Sequence, residues 1–237
     1  MALQIEKCKN KKKLARKFGE MLTKKSNNSN KPVTIALSGG STPKAVFDIL
    51  STEFKDKIKW SNILLFWGDE RCVPPTDSES NYRMTKEHLL DKVEIKEDQI
   101  FRVKGEDEPQ KAAEQYSETI LKNVEEENSL PCFDIMILGM GDDGHTASIF
   151  PDSIELWSSD KICEVATHPV TAQKRVTVTG KIINNSKEII FWLTGVDKAK
   201  IFAEIAIKKE GYKKYPAALA DRDKTLWMTD EMAAALL

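Results

Sequence analysis

The chain has 237 residues, of which 41% are hydrophobic and 31% charged, with a formal net charge of -1. That balance is ordinary for a soluble globular protein, and the length suits one large α/β domain or two small ones around a sizeable core. The near-zero charge argues against a nucleic-acid partner. No apolar run approaches the ~18 residues of a membrane span, and no signal-type apolar core follows Met1. Cys8, Cys72, Cys132 and Cys163 form no C-x-x-C pair, which fits reduced thiols in a cytoplasm. His88, His145 and His168 are scattered, so no zinc cluster is expected.

The basic run near the start, "KCKNKKKLARK", carries Leu14, Phe18 and Met21 (or Leu22) at helical spacing, and reads as the solvated face of an N-terminal helix. "SNNSNKP", residues 26–32, reads as a loop. "VTIAL" (33–37) is a short β-branched strand, followed by a helix in "STPKAVFDIL". "ILLFW" (63–67) is a second buried strand, and "SNYRMTKEHLL" (80–90) is a helix opened by a capping serine. A long surface helix is expected over 108–127, and a third strand over 133–138 in "FDIMIL". Residues 153–174 are the least legible. "RVTVT" (175–179) alternates as a strand does, and "EIIFWLT" (188–194) is another buried strand with its helix in "VDKAKIFAEIAIKK". "TLWMT" (225–229) reads as a last strand before a closing helix, "DEMAAALL". Near-continuous apolar strands separated by helices imply a three-layer α/β domain over 1–237, with a mostly parallel sheet covered on both faces.

In open parallel sheets ligands bind beyond the carboxyl ends of the strands, so the loops that follow each strand carry the functional information. After "VTIAL" come Ser38, Gly39, Gly40, Ser41, Thr42 and Pro43. Ser41 or Thr42 is expected to cap the helix, and its free N–H groups and hydroxyls suit a phosphate. A tight strand-to-helix turn is the plainer alternative. After "ILLFW" come Gly68, Asp69, Glu70 and Arg71. Arg71 can grip a phosphate or carboxylate through two parallel bonds, or can close an internal salt bridge with the neighbouring acids.

The third loop, "GMGDDGHTASIFP" from Gly139, matches the dinucleotide pattern G-x-G-x-x-G, and falls short of a P-loop because His145 stands where its lysine should be. Pro151 follows Gly144 by only seven residues, too few for a long pyrophosphate-binding helix, and Asp142 and Asp143 would repel pyrophosphate. Histidine can instead take a proton from water near neutral pH, and a nearby carboxylate can fix its tautomer. The bland alternative is that His145 caps a short helix. No G-x-S-x-G elbow occurs, so an activated water is a simpler mechanism than a serine acyl-enzyme.

Taken together, "LSGGSTPKAVFDIL", "FWGDERCVPPTDSESNYRMTKEHLL" and "ILGMGDDGHTASIFP" resemble the three signature blocks of the 6-phosphogluconolactonase family, which shares a superfamily with the glucosamine-6-phosphate deaminases. The resemblance continues through "KRVTVTGKIINNSKEIIFWLTGVDKA" and "YPAALADRDKTLWMTDEMA". It implies a Rossmann-like fold and the hydrolysis of 6-phosphoglucono-δ-lactone to 6-phosphogluconate in the oxidative pentose phosphate pathway. It implies no metal or organic cofactor. The expected partner is a small sugar-phosphate lactone, without nucleic acid or membrane, bound by a cytoplasmic monomer or small homo-oligomer.

By the same resemblance, His145 is the general base and Asp143 orients it. Gly39, Gly40, Ser41 and Thr42 help to hold the phosphate or sugar. Arg71, Arg175 and Lys198 are basic candidates for the phosphate or the carbonyl oxygen, and Asp69, Asn81 and Gly144 are placed with them around the substrate. Deaminases read "DGHIAFNEP" in the third block, and their ring-opening glutamate matches Phe150 here. The chain also departs from the family pattern in having Gln173 and Lys174 before the "RVTVT" strand, and Gly180 after it, where prolines are common. The rival expectations are a deaminase-like enzyme, a non-catalytic sugar-phosphate binder and a nucleotide-dependent oxidoreductase.

Overall fold

A computed structural model describes residues 3–237, so the first two residues of the expected 1–237 domain lie outside the described residues. In chain order the elements are β1 (Gln4–Cys8), α1 (Lys11–Asn28), β2 (Val33–Leu37), α2 (Ser41–Glu53), β3 (Ile63–Trp67), β4 (Asp69–Arg71), α3 (Asn81–His88) and α4 (Pro109–Asn123). They continue with β5 (Glu126–Glu127), β6 (Leu130–Pro131), β7 (Ile135–Leu138), β8 (Cys163–Thr167), β9 (Lys174–Val178), α5 (Gly180–Asn185), β10 (Glu188–Leu193), α6 (Ala199–Ala206) and β11 (Thr225–Asp230).

Six strands form one parallel sheet in the order β1-β11-β10-β7-β2-β3. Its two faces follow from the period-2 alternation of side chains along a strand. Val33, Ile35 and Leu37 of β2, Ile63, Leu65 and Trp67 of β3, Ile135 and Ile137 of β7 and Trp192 of β10 point to one face. There they meet Leu14, Phe18 and Leu22 of α1 and Val46, Phe47 and Leu50 of α2. Ala36, Phe66, Met136, Leu138, Phe191 and Trp227 point to the other face, against Tyr116 and Ile120 of α4, Ile182 and Ile183 of α5 and Phe202 and Ile205 of α6. Both faces are therefore apolar, as the near-continuous hydrophobic strands require.

β3 lies at one edge of the sheet, where unpaired backbone groups would be costly. Phe101 N–H donates to the Leu65 carbonyl at 2.8 Å. The Tyr116 hydroxyl accepts from Trp67 N–H at 2.7 Å and donates to the Trp67 carbonyl at 2.8 Å. Immediately beyond, Gly68 N–H bonds the Leu37 carbonyl at 2.8 Å, while Val178 N–H bonds the Gly68 carbonyl at 2.9 Å. The chain thus passes at Gly68 from the parallel sheet into a second, antiparallel sheet of order β4-β9-β8.

Several expectations change. The "RVTVT" segment pairs in this antiparallel sheet rather than the parallel one, and β8 emerges from the illegible stretch. A strand, β1, precedes the first helix, which starts where the Asn10 side chain caps Lys13 N–H at 3.0 Å and runs on to Asn28, into the expected loop. α2 is entered through Gly40, with no side-chain cap from Ser41 or Thr42. The long helix stops at Asn123, and a β5–β6 hairpin follows with Asn128 and Ser129 in left-handed backbone. "DEMAAALL" is not a helix. Asp230 ends β11, its carboxylate accepting from Ala233 N–H at 2.8 Å and Gly195 N–H at 3.1 Å, and the chain continues in turns. The Asp230 bonds fix the backbone at its start, and packing Ala233 and Ala234 into the core stabilises the turns.

Candidate active site

Strand order reverses between β2 and β7. From β2 the chain moves outward to β3, whereas from β7 it moves the other way to β10 and β11. The crevice at such a switch point is where an open α/β sheet binds ligands. Here the loops after β2 and β7 border a cavity of about 210 Å³, which the second sheet and the start of α3 complete. Gly39, Gly40, Asp69, Arg71, Asn81, His145 and Arg175 all line it. Ser38, Gly139, Met140, Gly141 and Ala147 complete its wall.

His145 is held by its own loop. Its Nδ1 lies 2.6 Å from Asp143 Oδ1, which also accepts from His145 N–H at 3.0 Å. Burial pushes the Asp143 carboxyl up, but the bonds from the His145 ring and backbone, with the attraction of the imidazolium, outweigh burial and bring it down to about 2. An ionised carboxylate at Nδ1 keeps the proton on that nitrogen and leaves the Nε2 lone pair for chemistry. The loop closes through Gly141 N–H to the His145 carbonyl, 2.9 Å, and a Cβ at Gly141 would fall 2.1 Å from Nδ1. Only glycine lets the ring lie this close. Thr146 bridges Ile149 in a tight turn with Ala147 at φ 48°, and the Thr146 hydroxyl reaches back to the Gly139 carbonyl at 2.8 Å. The short 3-10 helix that follows, Pro151–Trp157, is entered through Phe150 without a side-chain cap, so His145 does not cap it. Phe150 is buried against it, ring centroids 4.8 Å apart.

The two arginines come from the second sheet. Arg71 of β4 and Arg175 of β9 are direct cross-strand partners, an arrangement that like charges make unfavourable. Arg71 Nη1 donates to the Glu79 carbonyl, and Arg175 Nη1 lies 3.5 Å from Ser148 Oγ. The Nε of each is buried without a partner. Burial draws the Arg175 guanidinium down from its ordinary value, with Asp69 opposing and Arg71 adding to the shift. Arg175 also lies over the Phe150 ring, 5.7 Å from its centroid. An anion between the two arginines would relieve their repulsion and satisfy the free donors.

The acids beside them are occupied. Glu70 is buried, and accepts from the N–H groups of Arg71, Asn81 and Tyr82 at 2.7–2.8 Å, so it anchors the start of α3 and makes no ion pair with Arg71. Burial raises its carboxyl above the usual range despite those bonds. Asn81 Nδ2 donates to the Asp69 carbonyl at 2.9 Å. Asp69 Oδ2 accepts from Ser148 Oγ at 2.5 Å, and Ser148 N–H is bonded to Thr177 Oγ1 at 3.2 Å. This buried Ser148–Thr177 pair was not foreseen. Thr177 shares a strand face with Arg175 two residues earlier, and that periodicity points to it; "TASIF" holds no comparable cue for Ser148.

The remaining candidates, Ser41, Thr42, Gly144 and Lys198, are not among the residues that line the cavity. Ser41 and Thr42 open α2, whose first N–H groups have no intrahelical acceptor, and Thr42 Oγ1 shares a 2.7 Å hydrogen bond with Thr194 Oγ1. Gly144 lies between Asp143 and His145. Lys198 is ion-paired with Asp142 on the outside of the His145 loop and does not line the cavity.

Residues 9–227 match the family model described as glucosamine-6-phosphate isomerases/6-phosphogluconolactonase. The chain belongs to this family. It is 51% identical over 172 residues to the 6-phosphogluconolactonase of Treponema pallidum, covering 73% of this chain and 71% of that one. It is 41% identical over 215 residues to the 6-phosphogluconolactonase of Haemophilus influenzae, covering 88% and 89%. Among solved structures, the devB protein superposes with a TM-score of 0.92 at 35% identity, over 98% of each chain. In both branches named by the family, the substrate is a sugar phosphate, the class of ligand that paired arginines facing a small polar cavity would attract.

Proposed function

We propose that this protein hydrolyses 6-phosphoglucono-1,5-lactone to 6-phosphogluconate, with His145 activating the attacking water. The observation that carries this reading is His145 itself, with Nδ1 tied to Asp143 at 2.6 Å and its ring on a cavity shared with two unpaired arginines. Nε2 takes a proton from water as the water oxygen bonds to C1. The resulting oxyanion collapses, the bond from C1 to the ring oxygen breaks, and the imidazolium returns its proton to the departing oxygen. Asp143 stabilises the imidazolium throughout. Arg71 and Arg175, with Gly39, Gly40 and the start of α2 at Ser41 and Thr42, hold the 6-phosphate or the developing oxyanion. Asp69 and Asn81 face the sugar hydroxyls; Gly144 shapes the loop; Lys198 steadies it through Asp142.

Phe150 favours this reading over a deaminase. It is buried against His145, at the position where the ring-opening chemistry of deaminases needs a glutamate, and a phenyl ring moves no proton. The shared central sheet supports treating the whole chain as one domain. The four free cysteines support a reducing, cytoplasmic setting.

The test is acid release from freshly prepared 6-phosphogluconolactone near neutral pH, measured against the spontaneous rate, with wild type beside His145→Ala. Strong acceleration by wild type that is lost in the variant is the expected result. Equal turnover by the variant removes the base assignment, and no acceleration by wild type removes the substrate.

A further inference from the structure

The His145 loop is gripped from outside the cavity by the segment that follows α6. The Tyr215 ring packs on Gly144, the one residue between the acid and the base. A Cβ at Gly144, which has φ +82°, would fall 2.5 Å from that ring. Two residues on, Ala217 N–H donates to the Gly144 carbonyl at 3.0 Å. The Tyr215 hydroxyl donates to Glu204 Oε2 of α6 at 2.7 Å, and Glu204 is paired with Lys209 at 3.0 Å. Tyr215 is buried, so its ring cannot be exchanged for solvent without leaving a gap beneath the loop.

We infer that Tyr215 is a positioning residue for the reaction, a wedge anchored on Glu204 that holds the Gly144 peptide and thereby sets the geometry between Asp143 and His145. This rests on the reading of His145 as the base. The pair sits two residues apart on a loop without regular secondary structure, so nothing in a helix or strand fixes its separation. Gly144 N–H bonds the Gly141 carbonyl at 3.1 Å, and the loop is closed on itself at that point. On its outer side, the ring and the Ala217 N–H meet the same residue. Moving the Gly144 peptide by a fraction of an ångström would rotate the imidazole away from Asp143, and misplacements of about 1 Å can cost ~100-fold in rate.

The test compares Tyr215→Ala, Tyr215→Phe and Glu204→Gln in the full chain by lactone kinetics, thermal melting and the low-field proton resonance of His145 Nδ1–H. With the wedge removed, Tyr215→Ala should lower kcat about tenfold with KM within about twofold, and should broaden or shift the Nδ1–H resonance. Tyr215→Phe keeps the ring and should stay within about threefold of wild type, as should Glu204→Gln. An unchanged kcat and an unchanged resonance in Tyr215→Ala would overturn the inference. So would parallel changes in KM, which would mean a disturbed binding site. Should Tyr215→Ala not fold, Tyr215→Leu takes its place under the same criteria. The resonance also separates the two readings. A perturbed Nδ1–H in the variant, beside a wild type that does not hydrolyse the lactone, retires the proposed substrate and leaves the wedge standing.

Discussion

The two edges of the parallel sheet treat charge in opposite ways. At the amino edge, where β2, β7 and β10 begin, lies a hollow of about 460 Å³, larger than the cavity beside His145. Its charges are spoken for. Asp134 accepts from Lys187 at 2.8 Å and from Thr34 N–H at 2.9 Å, and Lys31 meets Glu125 at 2.6 Å. Burial pushes the Asp134 carboxyl up, yet Lys187 and Thr34 together hold it below the usual range. At the carboxyl edge, Arg71 and Arg175 stand side by side with unpartnered Nε atoms. Size does not distinguish the two hollows; paired charge in one and unpaired charge in the other does. A satisfied ion pair holds strand ends together, whereas two adjacent unpaired guanidiniums leave donors that an anion would satisfy.

That contrast can be broken by substitution. The largest effect belongs to His145→Ala, which should lower kcat by about 10² or more while inorganic phosphate still protects the protein from thermal unfolding; lost protection would place His145 in binding rather than chemistry. Next, Arg175→Ala should reduce kcat/KM by about 10- to 100-fold, the worth of a charge-assisted bond to phosphate, with a melting temperature equal to or above wild type because like charges have been separated. A melting temperature several degrees lower would instead make Arg175 structural. Lys187→Ala inverts the pattern. Its kinetics should match wild type, whereas stability should fall by about 1 kcal/mol, or about 2–4 °C.

The smallest effect sharpens the comparison at acid pH. The Asp143 carboxyl is depressed to about 2, so its contribution to stability is fully present above the ordinary aspartate value of about 4 and is lost as pH falls toward 2. The melting-temperature difference between wild type and Asp143→Asn should therefore shrink over that interval. A difference that persists at pH 2 would mean that the carboxylate charge is not what stabilises the loop.

Much of the fold is legible because five of the six parallel strands are short apolar runs buried on both faces, so hydrophobicity alone marks β2, β3, β7, β10 and β11. β1 is different. "QIEKC" lies at a sheet edge with mostly exposed side chains, and its strand state comes from pairing with β11 across the length of the chain. β8 is similarly recruited by β9, and tertiary pairing of this kind leaves no local trace. "DEMAAALL" misleads in the opposite direction, since its helix propensity is overridden by the bonds to Asp230. In the candidate site, His145, Asp143 and Arg71 are legible as polar residues in the loops that follow buried strands, and Asn81 through the family resemblance alone. Ser148 and the Tyr215 wedge are not, because their contacts join segments that only the folded chain brings together.

The pairing of β1 with β11 has a consequence for biosynthesis. Residues 4–8 leave the ribosome well before their register partners, 226–230. The outermost strand must therefore remain unpaired until the intervening chain has been made. Its charged side chains, Glu6 and Lys7 with Lys9 beside them, are of the kind that keep a lone strand edge from aggregating until its partner arrives.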